Sequence, residues 1–377
     1  MAEESAFPVV GIGASAGGIQ ALESLFRTMP ADTGIGFVIV THLMRGRESL
    51  LPEIMARYTA MPVLAATQDA VVEPNHVYLG GADSILTIKG GRLALQARPA
   101  DSQPTQIDVF LSSLAEDRGE AAIGILLSGS GHDGTLGFKA IQEHGGLTLA
   151  QGHNGSAPLH GEMPNSAIAA GAADLVVTVE DMAARIVAYG HGARRDRGGA
   201  GEGDAGPDNT PAYRAIHAIL HQQVGHDFSG YKQRTFQRRV RRRMQVLQSP
   251  SLEAYVARLR DNAGEVANLF RDLLIGVTGF FRDPDAFDAL AREVIPSIFE
   301  GRSASDTVRV WIPACATGEE VYSIVIQLLE QNIEDFRVVA SDINPKVLHK
   351  MNQGLFHEGH LEHVSKYLLH KYYLLHL

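Results

Sequence analysis

Cysteine is almost missing from this chain of 377 residues: there is one, Cys315. A lone thiol excludes an intrachain disulfide, and the composition suits a reducing compartment. Long apolar runs are missing as well. No stretch reaches 18 apolar residues, so no segment is read as crossing a bilayer. The opening "MAEESAFPVV" is acidic where a secretory leader is basic, and it has no extended apolar core. Together these absences point to the cytoplasm and exclude membrane insertion. Positive charge is scarce in the first half: residues 1–190 hold 10 lysines and arginines against 20 aspartates and glutamates. Such a unit is a poor binder of phosphate backbones, so no nucleic-acid partner is expected for it.

What is present falls into two parts. Residues 213–377 carry 20 basic against 19 acidic residues, so the net charge of −10 comes from the first half. Between the halves runs "GHGARRDRGGAGEGDAGPDNTP" (190–211), with seven glycines, two prolines and no large apolar residue. It has too little apolar surface to offset its ordering entropy and is read as a flexible linker over 191–212.

The stretch "VVGIGASAGGIQALESL" (9–25) supports two chemistries. Gly11, Gly13 and Ala16 match a dinucleotide loop; Gly13, Ser15 and Gly17 match a turn that lifts a serine clear of a sheet. "FPVVGIGAS", "GFVIVTHL" and "AAIGILLSGSG" read as buried parallel strands, and "GIQALESLFRTM" and "GTLGFKAIQEHGG" as helices. The alternation predicts a doubly wound parallel sheet with its site beyond the carboxyl ends of the strands. There stand Ser15, His42 and Asp133. A dinucleotide site wants an acid closing the second strand, and Thr41 and His42 occupy that place, so the reading turns to the serine. An imidazole can take the proton of a serine hydroxyl while a carboxylate fixes the ring's tautomer. The order Ser…His…Asp argues against the α/β-hydrolase fold, and each residue alone has an ordinary structural explanation.

"GASAGG", "THL", "LSGSGHDGTLGFKAI" and "GEMPNSAIAAGAADLVV" resemble the catalytic domain of the chemotaxis protein-glutamate methylesterase family, CheB, over about 7–190. The resemblance implies Ser15 as nucleophile, His42 as base and Asp133 as its partner, with no cofactor. No receiver domain is expected ahead of it, and Ser130 stands where the family commonly carries a methionine whose amide serves the oxyanion.

After the linker, Thr210 and Pro211 predict a helix start, with Ile216, Ile219, Leu220 and Val224 at helical spacing and Gly225 at its end. "YKQRTFQRRVRRRMQVL" follows, with Phe236, Val240, Met244 and Leu247 on one face and Lys232, Arg234, Arg238, Arg239, Arg241, Arg242 and Arg243 on the others. With no interleaved aromatics and an acidic chain overall, an acidic protein surface is at least as fitting a partner as nucleic acid. Then "VRVWIPACATGEEVYSIVIQLLE" (308–330) and "FRVVASDIN" (336–344) read as strand, glycine turn, helix and strand, ending in Asp342. An acid in that place can hold ribose hydroxyls. His357, His360 and His363 lack the four-residue spacing of zinc-binding helices and are read as ordinary, so no metal is expected.

"DFSGYKQRTFQRRVRRRM", "VTGFFRD", "ACATGEEVYS" and "SDIN" resemble the chemotaxis receptor methyltransferase family, CheR, over about 213–370. The resemblance implies S-adenosylmethionine as cofactor, with Thr278, Arg282, Glu320 and Asp342 as contacts, and an arginine-rich helix that docks on methyl-accepting chemoreceptors. With 35 residues after Asp342, a class I methyltransferase sheet is expected to be incomplete. The predicted organisation is therefore a methylesterase domain (1–190), a linker (191–212), a small all-α domain (213–285) and the start of a Rossmann-like sheet (286–377). The function implied is hydrolysis of receptor glutamyl methyl esters. A non-catalytic scaffold docked on receptors is the alternative, and an oxidoreductase using the Gly11–Ala16 loop a more distant one.

Overall fold

The computed structural model describes residues 7–42, 50–81, 84–97, 105–152, 157–198, 211–274, 278–299, 307–333, 335–356, 361 and 364–373. They form two compact units, 1–273 and 274–377.

The first unit is built on seven parallel strands: β1 (Val9–Ala14), β2 (Gly36–Thr41), β3 (Val63–Ala65), β4 (Val77–Leu79), β7 (Ala122–Leu126), β8 (Leu147–Gln151) and β9 (Leu175–Val177). Their order is β3-β4-β2-β1-β7-β8-β9. Every residue of β1, β7 and β8 is buried, as expected of strands covered on both faces. A separate antiparallel hairpin, β5 (Ser84–Lys89) with β6 (Arg92–Ala97), turns through Gly90 and Gly91, both at positive φ.

Two cores sandwich the main sheet. On one face α1 (Gly18–Thr28) and α6 (Val179–Gly198) bring Leu22, Leu25, Phe26, Ile186 and Tyr189 against Val10, Ile12 and Phe37. The other face is covered by α3 (Gln106–Arg118) and α4 (Thr135–Glu143), with Phe110, Leu111, Leu114, Phe138 and Ile141. The short α2 (Leu51–Met55) adds to the first core and α5 (Glu162–Ala169) to the second. The glycines of β1 have a packing role here. A Cβ on Gly11 would lie 2.6 Å from Leu111 Cδ2, and one on Gly13 would lie 2.5 Å from Ile107 Cγ2. They let α3 close directly onto the strand, which accounts for the G-x-G without a nucleotide.

α6 runs to Gly198, into the stretch expected as linker; Ala193, Arg194 and Arg195 are good helix formers. Residues 199–210 lie outside the described residues, as does Thr210 as a cap. The chain resumes with four helices: α7 (Pro211–Val224), α8 (Gln233–Val246), α9 (Leu252–Asp261) and α10 (Ala263–Leu273). Ile216, Leu220, Phe236, Val240, Tyr255, Leu259 and Leu269 make their core.

α8 corrects one expectation. Arg239, Arg242 and Arg243 are buried, not presented to a partner. Arg242 donates through Nη2 to Asp174 Oδ2 at 2.7 Å and to Gly146 O, and through Nη1 it ion-pairs with Asp272. Arg243 makes a two-pronged pair with Glu265 and reaches Asp174 Oδ1 at 3.4 Å. Arg239 donates to Glu143 O. The helix thus uses these cations to seat the four helices on the β8–β9 side of the sheet. Arg234, Arg238 and Arg241 remain exposed.

The second unit contains α11 (Pro284–Ala289), a π-helical turn (Leu290–Val294) and α12 (Ile295–Phe299). Then come β10 (Val308–Pro313), α13 (Glu319–Glu330), β11 (Phe336–Ser341), α14 (Pro345–Gln353) and α15 (Lys366–Tyr372). β10 and β11 pair in parallel, with Trp311 opposite Val339. Ile312, Cys315 and Val321 form the small core between strand and helix.

Candidate active site

β1 is the central strand of the large sheet, flanked by β2 and β7, and the three loops leaving these strands converge. Ser15 follows β1 at once. Its N–H donates to Ser128 O at 3.0 Å, and its carbonyl accepts from Gly18 N. Gly17 caps α1 in the left-handed region, where a Cβ would also meet Ser128 Oγ and Leu159 Cβ at 2.8 Å each. A Cβ on Gly129 would come 2.9 Å from Ser15 Cβ. The turn is therefore fixed from both sides, with Ser15 half-buried at its tip.

His42 lies just beyond β2, across from it. Its Nδ1 is 3.2 Å from Ser15 Oγ, and its Nε2 is 2.8 Å from Asp133 Oδ2. A carboxylate only accepts, so Nε2 carries the ring proton and Nδ1 presents a lone pair to the serine hydroxyl. Asp133, in the loop between β7 and α4, is 4% exposed. It accepts from Ile107 N at 3.0 Å and Asp108 N at 2.9 Å, the first free amides of α3. Those amides and the positive end of the helix hold its charge in a buried place. The three residues read at strand ends are joined in one hydrogen-bonded chain.

The part played by α3 was not visible in the sequence. Ile107 and Asp108 precede Asp133 by 26 and 25 positions and act through backbone atoms, which leave no side-chain signature. Gly13 was the only trace, since its missing side chain lets Ile107 approach.

In the second unit Asp342 stands directly after β11. Its Oδ2 accepts from Ala316 N at 2.9 Å and its Oδ1 from Asn344 N at 2.8 Å. Each oxygen keeps a lone pair. Glu320 is exposed in the first turn of α13, and its charge and that of Asp342 both bear on Cys315; burial first, then these carboxylates, push that thiol up. The turn carrying Thr278, half-buried, and Arg282, exposed, is anchored on α13 where Phe281 N donates to Ser323 Oγ at 2.9 Å. His357, His360 and His363 lie outside the described residues, and among the described residues no cluster of metal-ligating side chains occurs. No helix among them is long and apolar enough to cross a membrane.

Residues 10–186 match the CheB methylesterase family model. Residues 211–274 match the all-alpha domain of CheR methyltransferase, and residues 276–376 its SAM binding domain. The chain is a CheB/CheR fusion. An "uncharacterized 104.1 kDa protein in hypE 3'region" of Rhodobacter capsulatus is 33% identical over 333 residues, 82% of this chain and 35% of that protein. "Protein-glutamate methylesterase/protein-glutamine glutaminase 3" of Burkholderia orbicola is 38% identical over 183 residues, 48% of this chain and 53% of that protein. The chain thus spans about a third of the first relative and about half of the second. The Thermotoga maritima CheB methylesterase catalytic domain, a solved structure, matches at 25% identity with a TM-score of 0.44, covering 48% of this chain and 97% of that one. The fusion's CheB-type domain contains Ser15, His42 and Asp133; Thr278, Arg282, Glu320 and Asp342 fall in its CheR-type SAM binding domain.

Proposed function

We propose that the CheB-type domain is a protein-glutamate methylesterase acting on chemoreceptors or related sensory proteins, with Ser15, His42 and Asp133 as its catalytic triad. The observation that carries this reading is the continuous contact from Ser15 Oγ through the His42 ring to Asp133. Ser15 Oγ attacks the carbonyl carbon of a glutamyl methyl ester as its proton passes to His42 Nδ1. The imidazolium that forms is stabilised at Nε2–H by Asp133. The tetrahedral oxyanion collapses, His42 returns the proton to the departing methoxide, and methanol leaves an acyl-serine. Water, deprotonated by His42, then attacks the acyl carbonyl; the bond to Ser15 Oγ breaks as His42 returns the proton to that oxygen, and the glutamyl acid leaves and ionises to its carboxylate.

The amides of Ser15 and Gly129 are spent on Ser128 O and His160 O, so neither serves the oxyanion. The adjoining amides of Ala16 and Ser130 are the donors this reading assigns. Because the amide does this work, serine at 130 suffices. The Burkholderia orbicola relative's second name, protein-glutamine glutaminase, describes the same acyl transfer with ammonia leaving in place of methanol.

The CheR-type domain fits S-adenosylmethionine. Asp342 has lone pairs to spare for ribose hydroxyls beside the turn that opens α13, while Glu320, Thr278 and an exposed Arg282 suit the remaining polar groups, the methionine carboxylate among them. Bound there, the cofactor would supply an electrophilic methyl group. The chain's own residues bind and orient it.

The test is release of labelled methanol from receptor methylated on glutamate, with the full chain and Ser15→Ala. The variant should lose on the order of 10⁴-fold or more in rate. A folded wild-type chain that binds receptor yet releases nothing would establish the scaffold reading instead.

A further inference from the structure

The carboxylate behind His42 has a second one against it. Asp108, in the first turn of α3, is buried beside it, its N–H donating to Asp133 Oδ1 at 2.9 Å. Asp108 Oδ1 also accepts from Gly137 N at 2.8 Å, at the start of α4. Among the described residues no lysine or arginine forms an ion pair with either carboxyl; His42 is the ion-pairing partner of Asp133. Two buried carboxylates without a cation between them ionise together only with difficulty, so one of them holds its proton to higher pH.

The hydrogen bonds decide which. Asp133 receives two backbone amides and the His42 Nε2–H, and sits at the positive end of α3. The Asp108 carboxylate receives the amide of Gly137 and no charged donor. The negative charge therefore rests on Asp133 and the proton on Asp108. Burial first, and then the charge of Asp133, push the Asp108 carboxyl up to about 7.

We propose that Asp108 is a positioning residue of this site: as a neutral acid it donates a hydrogen bond to Asp133, and when it ionises the added negative charge raises the basicity of His42. The proposal rests on the triad reading above. With Asp108 protonated, Asp133 is fixed by three kinds of donor and presents one negative charge to the ring. Loss of the proton turns that donor into a repelling neighbour and stabilises the His42 imidazolium. The groups facing Asp108 are Asp133 from the loop after β7, His42 beyond it from β2, and the α4 amides. The adjoining turn is otherwise lined by the apolar atoms of Ile107 and Leu126.

The test uses Asp108→Asn in the full chain, since the amide can donate to Asp133 and accept from Gly137 but cannot ionise. In wild type the rise of kcat/KM with pH should be shallower than a single ionisation gives, because two coupled groups share the window. In the variant it should sharpen to a single ionisation, with its midpoint lower by roughly 0.5–1 pH unit. Asp108→Ala, which removes the donor, should be slower at every pH. Superimposable profiles for wild type and Asp108→Asn overturn the proposal. A titration of wild type labelled with ¹³C at the aspartate carboxyls needs no variant and no turnover. It should reveal a carboxyl titrating between about pH 6 and 8. If none does, the proposal is wrong even where the triad catalyses, so the two readings fail separately.

Discussion

Replacing Asp174 with alanine should loosen the seat of the all-α domain on the seven-stranded sheet. The side chain of Asp174 is 2% exposed and ion-pairs with both Arg242 and Arg243. It also accepts from the amide and hydroxyl of Thr148, each at 3.0 Å, while its Oδ1 accepts from Gln142 at 3.2 Å. Around it three guanidiniums (Arg239, Arg242, Arg243) face three carboxylates (Asp174, Asp272, Glu265), so the buried charges balance. Asp174→Ala leaves one positive charge in excess where water does not reach. Breaking such a pair by removing one member costs roughly 3–5 kcal/mol, most of it from the partner left buried and unpaired. The assay is denaturant unfolding together with amide exchange along α8. Arg242→Met in the same chain should recover part of the loss, because it removes the stranded charge. A cost for Asp174→Ala below about 1 kcal/mol would refute the reasoning, since that is the size of an exposed pair.

Three further outcomes follow from the same contacts. Combining His42→Ala with Ser15→Ala should slow ester hydrolysis little more than either change alone, because both groups serve one step; multiplicative losses in rate assays would assign them separate tasks. Asp108 is protonated in both states below its ordinary 3.8, and from there to about 7 the unfolded chain releases a proton that the folded one keeps. Stability of the first unit should thus fall across that window and level off above it, by on the order of 2–4 kcal/mol relative to Asp108→Asn in parallel denaturant series. Charge reversal at the exposed Arg234 and Arg241 should weaken receptor binding several-fold at low salt and less at high salt, as surface charges are screened; unchanged binding would exclude this face as the dock.

The sequence carried the part of the site that side chains mark. Ser15, His42 and Asp133 each end a strand whose apolar run is long enough to read, so their meeting beyond the carboxyl ends could be inferred from topology. β3, β4 and β9 have three residues each and gave no periodic signal. The arginines of α8 misled for a related reason. Helical periodicity placed Phe236 and Val240 in a core, but the burial of Arg242 and Arg243 depends on Asp174, 68 and 69 positions away. Nothing in the sequence singled out Asp108. Only the closeness of α3 to β1, permitted by Gly11 and Gly13, brings it against Asp133.

The central claim is that Ser15 forms the acyl bond. A slowly hydrolysed activated ester or a sulfonyl fluoride, reacted with the native chain and followed by peptide mass mapping, locates the nucleophile directly. The account predicts one covalent adduct, on the peptide at Ser15, formed far more slowly in His42→Ala. An adduct on another residue, or full methanol release by a chain in which Ser15 stays unmodified and replaceable, would contradict it.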